Sequence, residues 1–138
     1  MKQEGITSVN GKSIKFGDRN LRTWGKETSN HRKKDPHTGY ASARDISIVG
    51  GTIKDYEDLK NILINNITVR NWMTVKGWGI INEVTPEILS QTKGTGKHFH
   101  FGPDSWAKNT WSAWINNPTF SVRQSFKNYT NSNSFNSN

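Results

Sequence analysis

The four histidines of the chain lie in two short polar segments. His31 and His37 fall in a stretch of charged and small residues, and a single phenylalanine separates His98 from His100. Imidazole is both an acid–base group and a good ligand for divalent metals, so this grouping indicates a chemical site. Because the chain has no cysteine, any metal has to be held by histidine and carboxylate.

Histidine and phenylalanine alternate along residues 97–101, which read as a short strand. Since neighbouring side chains of a strand point to opposite faces, His98 and His100 should share one face and the two phenylalanines the other. We therefore expect the phenylalanines to anchor the strand in the core while the imidazoles face a cleft. The alternative is an edge strand whose histidines only meet solvent, and a His-x-His pair by itself does not decide between the two.

Asp45 could supply a carboxylate ligand, because it opens an apolar run that is typical of a strand. Small residues precede it and let the backbone turn, so that a histidine of the preceding loop and Asp45 could converge on one ion. On a plain surface loop, Asp45 would instead pair with its neighbour Arg44.

Glu83 ends the apolar run Gly79–Asn82. A carboxylate there is costly to bury unless it is paired, so we expect it to face a wet cleft. Taken alone it would be an exposed acid at a strand end. Together, two histidines, one aspartate and one glutamate at strand ends form the minimum set for a hydrolytic zinc site. Three protein ligands leave a fourth position for water, and Glu83 could act as its general base.

The elements that would position these residues make an α+β domain. Asn-Gly at 10–11 predicts a β-hairpin with a type I′ turn, and Thr52 predicts the capped start of an amphipathic helix. Residues 103–105 predict the start of a final tryptophan-rich helix, and the helical spacing of its tryptophans favours a place in the core. Residues 17–36 are predicted to be irregular. Further strands are predicted at 44–49, 78–84 and 97–101. We expect a small antiparallel sheet with one or two packed helices.

Length and composition fit one domain with a modest core. The 138 residues are 31% hydrophobic, with six Trp and six Phe to fill it. Residues 1–127 are assigned to this domain, and 128–138, almost all Asn, Ser and Thr, to a flexible tail. The net charge of +8 favours an acidic partner, either nucleic acid or an acidic cell-wall polymer.

The order of these residues resembles the D-alanyl-D-alanine carboxypeptidase and L-alanyl-D-glutamate endopeptidase family, whose zinc-binding scaffold phage endolysins and the hedgehog signalling domain share. The family pattern is Ser-x-His, then Gly-x-Ala-x-Asp, and later a Glu ahead of a His. Residues 29–31 match the first piece, 41–45 match the second with Ala41 in place of Gly, and Glu83 with 98–100 matches the last. The resemblance covers about residues 28–101.

The resemblance implies a hedgehog-like fold with a zinc centre. Its three zinc ligands would be His37, Asp45 and His100. Glu83 would be the general base, and His98 would assist beside the water or oxyanion. The family places its first histidine seven residues before the aspartate. His37 lies eight residues before Asp45 and His31 fourteen, so His37 with a one-residue bulge is expected and His31 is the alternative.

As a member of this family, the chain would hydrolyse peptide bonds of peptidoglycan in lysis or remodelling of a cell wall, as a carboxypeptidase or an endopeptidase. Residues 94–101 are also similar to the last motif of lysostaphin-type endopeptidases. That family needs a His and an Asp four residues apart earlier in the chain, and no such pair stands in a suitable place here. Arg22 or Arg44 could pair with a substrate carboxylate.

Two other functions stay open: a non-catalytic zinc-binding domain of a virion, and a metal-dependent nuclease. The basic residues are spread out, with only 32–34 as a run, so nucleic acid is not the expected partner. The first residues show neither a signal peptide nor a membrane span. We expect a protein that is made in the cytoplasm and reaches the wall after release, or is virion-associated. The oligomeric state stays open.

Overall fold

The computed structural model describes residues 5–94 and 96–125. Five strands form one antiparallel sheet in the order β1-β2-β3-β5-β4: β1 (Ser8–Val9), β2 (Lys12–Phe16), β3 (Arg44–Ile48), β4 (Gly79–Glu83) and β5 (His98–Gly102). Four α-helices accompany them: α1 (Ile53–Asn65), α2 (Ile67–Lys76), α3 (Pro86–Thr92) and α4 (Ser105–Asn116). The α+β class and the antiparallel sheet are confirmed. None of these helices is long and apolar enough to cross a membrane.

Local signals in the first half of the chain produce the elements that they predict. Asn10 and Gly11 both have positive φ, 51° and 77°, as the type I′ turn between β1 and β2 requires. The Thr52 side chain accepts a hydrogen bond from the Asp55 backbone, and Asp55 accepts one from the Thr52 backbone at 2.8 Å, which completes a capping box. Lys12 also donates to Asp55, so the cap of α1 fastens the hairpin.

Two helices were not predicted, and both bury little. Between its caps at Asn66 and Gly77, α2 buries only Val69 and Met73, so its apolar stripe is too narrow to show as a clear period. Helix α3 lies between the predicted strands at 78–84 and 97–101, in a segment for which no element was predicted. Thr85 caps it and Ile88 is its single buried residue. The expectation of one or two helices was therefore wrong: the described residues form four.

The sheet separates an apolar face from a polar one. Phe99 and Phe101 are buried, and the Phe99 ring lies 5.3 Å from that of Tyr56 and 5.6 Å from that of Trp114. This side faces the helices and confirms the expected core place of Trp114. The alternation predicted for residues 97–101 is also confirmed, since it directs His98 and His100 to the opposite face.

After α4 the chain packs back against the core through buried polar anchors. The Lys60 ammonium donates to the carbonyls of Pro118, at 3.0 Å, and Phe120, and the Asn82 amide donates to the carbonyls of Val122 and Gln124. These bonds fix the segment that closes the apolar face. The predicted tail, 128–138, lies outside the described residues.

A buried ion pair joins the long loop to the end of α2. Asp35 and Lys76 are almost fully buried, and the Lys76 ammonium donates to the Asp35 carboxylate, which also accepts from the Thr38 hydroxyl at 3.0 Å. Burial acts to raise the pKa of Asp35, but the bond from Lys76 and the smaller ones from Thr38 and His37 lower it to about 2. The loop is therefore held by a carboxylate that stays ionised at moderately acidic pH.

We expect acid to weaken the fold through Asp35. The folded-state pKa lies below the ordinary 3.8, so the stabilisation is fully present above about pH 5 and is lost as the pH falls toward 2. Asp35→Asn should lower the free energy of unfolding by about 3 kcal/mol at pH 7, because it leaves a buried lysine unpaired, and by less at pH 3. Denaturant titrations at a series of pH values measure this. The exposed Asp18→Asn variant is the control, and a pH-independent effect of Asp35→Asn would contradict the prediction.

Candidate metal centre

Strand register gathers four of the predicted site residues on the polar face of the sheet. Asp45 is paired with His100 across β3 and β5, and Glu83 is paired with His98 across β4 and β5. Directly paired residues project to the same side, so all four side chains point the same way. They line a cleft of about 670 Å³, which is bounded by the loop that carries His31.

His31 is held by a short 3-10 helix, Asn30–Arg32, inside the loop that was predicted to be irregular. The Ser29 hydroxyl accepts a hydrogen bond from the His31 backbone at 3.2 Å, and the Arg22 backbone donates to the His31 carbonyl at 2.9 Å. The imidazole itself is buried. A capped turn thus fixes a histidine over the sheet.

Two imidazoles meet one carboxylate oxygen. Nε2 of His31 and Nδ1 of His100 each lie 3.2 Å from Oδ1 of Asp45. The three ligand atoms lie within 4.8 Å of one another, and this group could hold a metal ion. Two ligands of a tetrahedral zinc, each about 2.0–2.1 Å from it, lie about 3.3 Å apart, so the observed spacing fits such an ion with little adjustment.

The charges around the three ligands favour a cation. Burial acts to raise the pKa of Asp45, but hydrogen bonds from His100 and His31 outweigh it and hold that pKa far below its usual range. Its second oxygen, Oδ2, lies 3.3 Å from the Arg22 guanidinium, which leaves Oδ1 for the centre. For His100, burial lowers the pKa, yet Asp104 and Asp45 together raise it to about 9.

His98 lies between the ligand group and Glu83. Its Nε2 is 3.2 Å from Oε1 of Glu83 and 3.9 Å from Oδ1 of Asp45, and its Nδ1 is 2.9 Å from the Gly96 carbonyl. Both ring nitrogens therefore face acceptors. Burial lowers the pKa of His98, but the hydrogen bond to Glu83, together with the charges of Glu83 and Asp45 and the bond to the Gly96 carbonyl, raises it above its ordinary value. The arrangement suits a protonated imidazole that donates to a neighbour.

Glu83 is buried, and both of its carboxylate oxygens have hydrogen-bond partners. The Thr92 hydroxyl donates to Oε2 at 2.5 Å, and a side chain at Gly94 would collide with the same oxygen, because a Cβ would stand 2.1 Å from it. Burial acts to raise the pKa of Glu83, while His98 and Thr92 bring it below its usual value. The predicted base is thus an ionised carboxylate beside the ligand group.

His37 does not take part in this centre, which corrects the expectation drawn from spacing. Its ring is half exposed, and its Nδ1 lies 3.3 Å from the Asp35 carboxylate. Residues 35–40 form a turn whose two ends are joined by the Lys34–Ala41 bridge. The turn therefore projects away from the chain segments that carry His31 and Asp45, and it takes His37 with it. The structure instead brings the alternative ligand, His31, to Asp45 and His100.

Several residues of the site gave no signal in the sequence. Arg22 was named only as one of two arginines for a substrate carboxylate, and the structure places it against Asp45, whereas Arg44 donates to the Gly17 carbonyl. Thr92 belongs to a helix that was not predicted. Asp104 was expected only as part of a helix start, and its contact with His100 is a tertiary feature.

Comparison of the chain with protein-family models, curated proteins and solved structures finds no match. The resemblance to zinc peptidases therefore rests on the sequence motifs given above.

We expect His31→Ala and Asp45→Ala each to abolish tight zinc binding, because each removes one of three ligands from the centre. His37→Ala is the matched control, and its affinity should equal that of the wild type because its imidazole contacts Asp35 instead. Competition with a chromophoric chelator measures the affinity, and elemental analysis of the wild type should give about one zinc per chain. Loss of zinc in His37→Ala with retention in His31→Ala would reverse the assignment.

Proposed function

We propose that the protein is a zinc-dependent peptidase that cleaves peptide bonds of peptidoglycan on a hedgehog-like scaffold. One observation carries the proposal. The ligand group of His31, Asp45 and His100 stands on the same sheet face as the His98–Glu83 pair, with 3.9 Å between Nε2 of His98 and the shared Asp45 oxygen. A hydrolytic centre needs this combination of an ion site and an adjoining acid–base pair.

Zinc suits the donor set better than magnesium or calcium. Two imidazoles with one carboxylate are a frequent ligand set of catalytic zinc, whereas magnesium and calcium prefer oxygen ligands. When bound, zinc would act as a Lewis acid toward a carbonyl and would lower the pKa of a water to about 7. All three ligands line the cleft of about 670 Å³, which would also have to admit the water and the carbonyl.

The protein's own residues supply the proton transfers. Glu83, held ionised by His98 and Thr92, accepts a proton from the attacking water and later returns it to the leaving amine. The Nε2–H of His98, which faces Glu83 before substrate binds, would shift its hydrogen bond to the oxyanion that forms on the scissile carbonyl. Both side chains are fixed before substrate arrives, since His98 is bonded at both nitrogens and Glu83 at both oxygens.

The cleft favours an anionic peptide as substrate. Five cationic side chains line it, and they outnumber the carboxylates of Asp45, Glu83 and Asp104: Lys15, Arg22, Lys26, Lys93 and Lys97. Trp24 is 65% exposed, and the Arg22 guanidinium lies 4.6 Å from its ring, which provides an aromatic platform at the cleft. Stem peptides that carry free carboxylates match this lining.

We expect Glu83→Gln to retain zinc but to lose at least about 100-fold in the rate of peptide release from purified sacculi, because the amide cannot accept the proton of the attacking water. Glu87→Gln is the matched control. Glu87 is an exposed acid on the neighbouring helix α3, so this change should leave the rate unaltered. Full activity of Glu83→Gln would remove Glu83 from the mechanism.

The same assay separates the rival functions. A wild-type protein that binds zinc but releases nothing from sacculi, whatever the cross-linking of the wall, would be a non-catalytic zinc domain. Zinc-dependent hydrolysis of DNA in place of wall peptides would instead identify a nuclease, for which the cationic cleft would also serve. Either result overturns the peptidase proposal.

We expect Thr92→Val to shift the acid limb of the pH–rate profile. The Thr92 hydroxyl donates to Glu83 and helps to lower its pKa, so its removal should raise that pKa. Because the base must be ionised, kcat/KM would then begin to fall at a higher pH than in the wild type. Thr92→Ser keeps the hydroxyl and should keep the profile. An identical acid limb in wild type and Thr92→Val would contradict the assignment of this limb to Glu83.

A further inference from the structure

Asp104 occupies the N-cap position of α4, yet its side chain makes no capping hydrogen bond. An aspartate at this position ordinarily accepts hydrogen bonds from the first backbone amides of the helix and so stabilises the helix start. Here Oδ2 instead lies 2.7 Å from Nε2 of His100, and Oδ1 accepts from the Asn30 amide at 2.7 Å. The carboxylate therefore serves neighbours that are distant from its own helix.

The corner between β5 and α4 is shaped for this contact. A Cβ at Gly102 would stand 2.8 Å from Oδ2 of Asp104 and 3.2 Å from Nε2 of His100. The same Cβ would lie 3.1 Å from the Ser42 carbonyl, so the backbone leaves no room for a side chain. A glycine at this point lets the carboxylate reach the imidazole directly.

Asn30 connects the same carboxylate to the segment of the other histidine ligand. It begins the 3-10 helix that carries His31, whose ring centroid lies 5.2 Å from that of His100. Asp104 is thus bonded to one ligand and to the immediate neighbour of the other. It faces Nε2 of His100, whereas Nδ1 of the same ring faces Asp45.

We propose that Asp104 is a positioning residue of the metal centre, a role that rests on the metal-binding part of the proposed function. Its carboxylate accepts a hydrogen bond from Nε2–H of His100. This bond keeps the proton on Nε2, so that Nδ1 is free to bind the ion. Through Asn30 it also sets the distance between the two imidazole ligands. Carboxylates that bond to metal-ligating histidines orient the ring and raise its basicity, and their loss costs about 10- to 100-fold in metal affinity.

Asp104→Ser separates this role from a structural one. Serine is an equally good N-cap, so α4 should keep its start, while the contact with His100 is lost. We expect the zinc affinity measured by chelator competition to fall about 10- to 100-fold. The metal-free variant should unfold at a somewhat lower midpoint, because His100 loses its charged partner, but it should stay folded under the conditions of the affinity measurement. Asn30→Ala should give a smaller loss of affinity in the same direction.

A spectroscopic readout tests the tautomer directly. Nitrogen-15 chemical shifts of the zinc-loaded wild type should show His100 with a protonated Nε2, and the Nε2 proton should exchange faster in Asp104→Ser. The visible spectrum of the Co²⁺-substituted protein should change between these two proteins as the ligand geometry relaxes. Asp104→Asn retains an acceptor oxygen and should fall between them in affinity.

Zinc affinities of Asp104→Ser and Asp104→Asn within twofold of the wild type would overturn the positioning role, and with normal wall hydrolysis the peptidase proposal would survive. A wild type that binds zinc without hydrolysing any wall would remove the peptidase proposal and leave this one in force. A wild type that binds no zinc would remove both. The positioning role would also be overturned if, in every variant, the fall in zinc affinity were fully explained by a smaller fraction of folded protein.

Discussion

A single carboxylate oxygen, Oδ1 of Asp45, receives imidazole nitrogens from two segments that are far apart in the chain, each at 3.2 Å. Partial burial of that carboxylate is unfavourable unless positive charge or a proton donor compensates it. The two histidines and the Arg22 guanidinium supply this compensation. The loop over the sheet and the two central strands must therefore be in place together for the site to exist.

The sheet register transmits this constraint to the rest of the fold. Asp45 is paired with His100, and a slip of one residue in β5 would put a phenylalanine in the cleft and a histidine in the core. The buried rings of Phe99 and Phe101 against Tyr56 and Trp114 oppose such a slip. Core packing on one face thus fixes the positions of the acid–base groups on the other.

Most of the centre could be predicted from the sequence because it depends on alternation within short strands. Asp45, Glu83, His98 and His100 each lie in or at the end of a strand that the sequence shows. The loop histidine could not be chosen in this way, since spacing favoured His37 and the structure brings in His31. What decides between them is a turn whose carboxylate is paired with a lysine 41 residues away, and nothing local reports such a contact. Helices α2 and α3 were missed for a related reason, because they bury two and one side chains and leave almost no periodic trace.

Because of the turn at residues 35–40, the number of residues between His31 and Asp45 does not determine how far apart the two side chains lie. Because the Lys34–Ala41 bridge closes its base, residues could be added to or removed from its tip without moving either end. The number of residues between His31 and Asp45 can then differ while the three ligand atoms stay within 4.8 Å of one another. A chain with a longer or shorter turn would have the same site at a different spacing, so a fixed His-to-Asp interval is a poor guide to which histidine joins the ligand group.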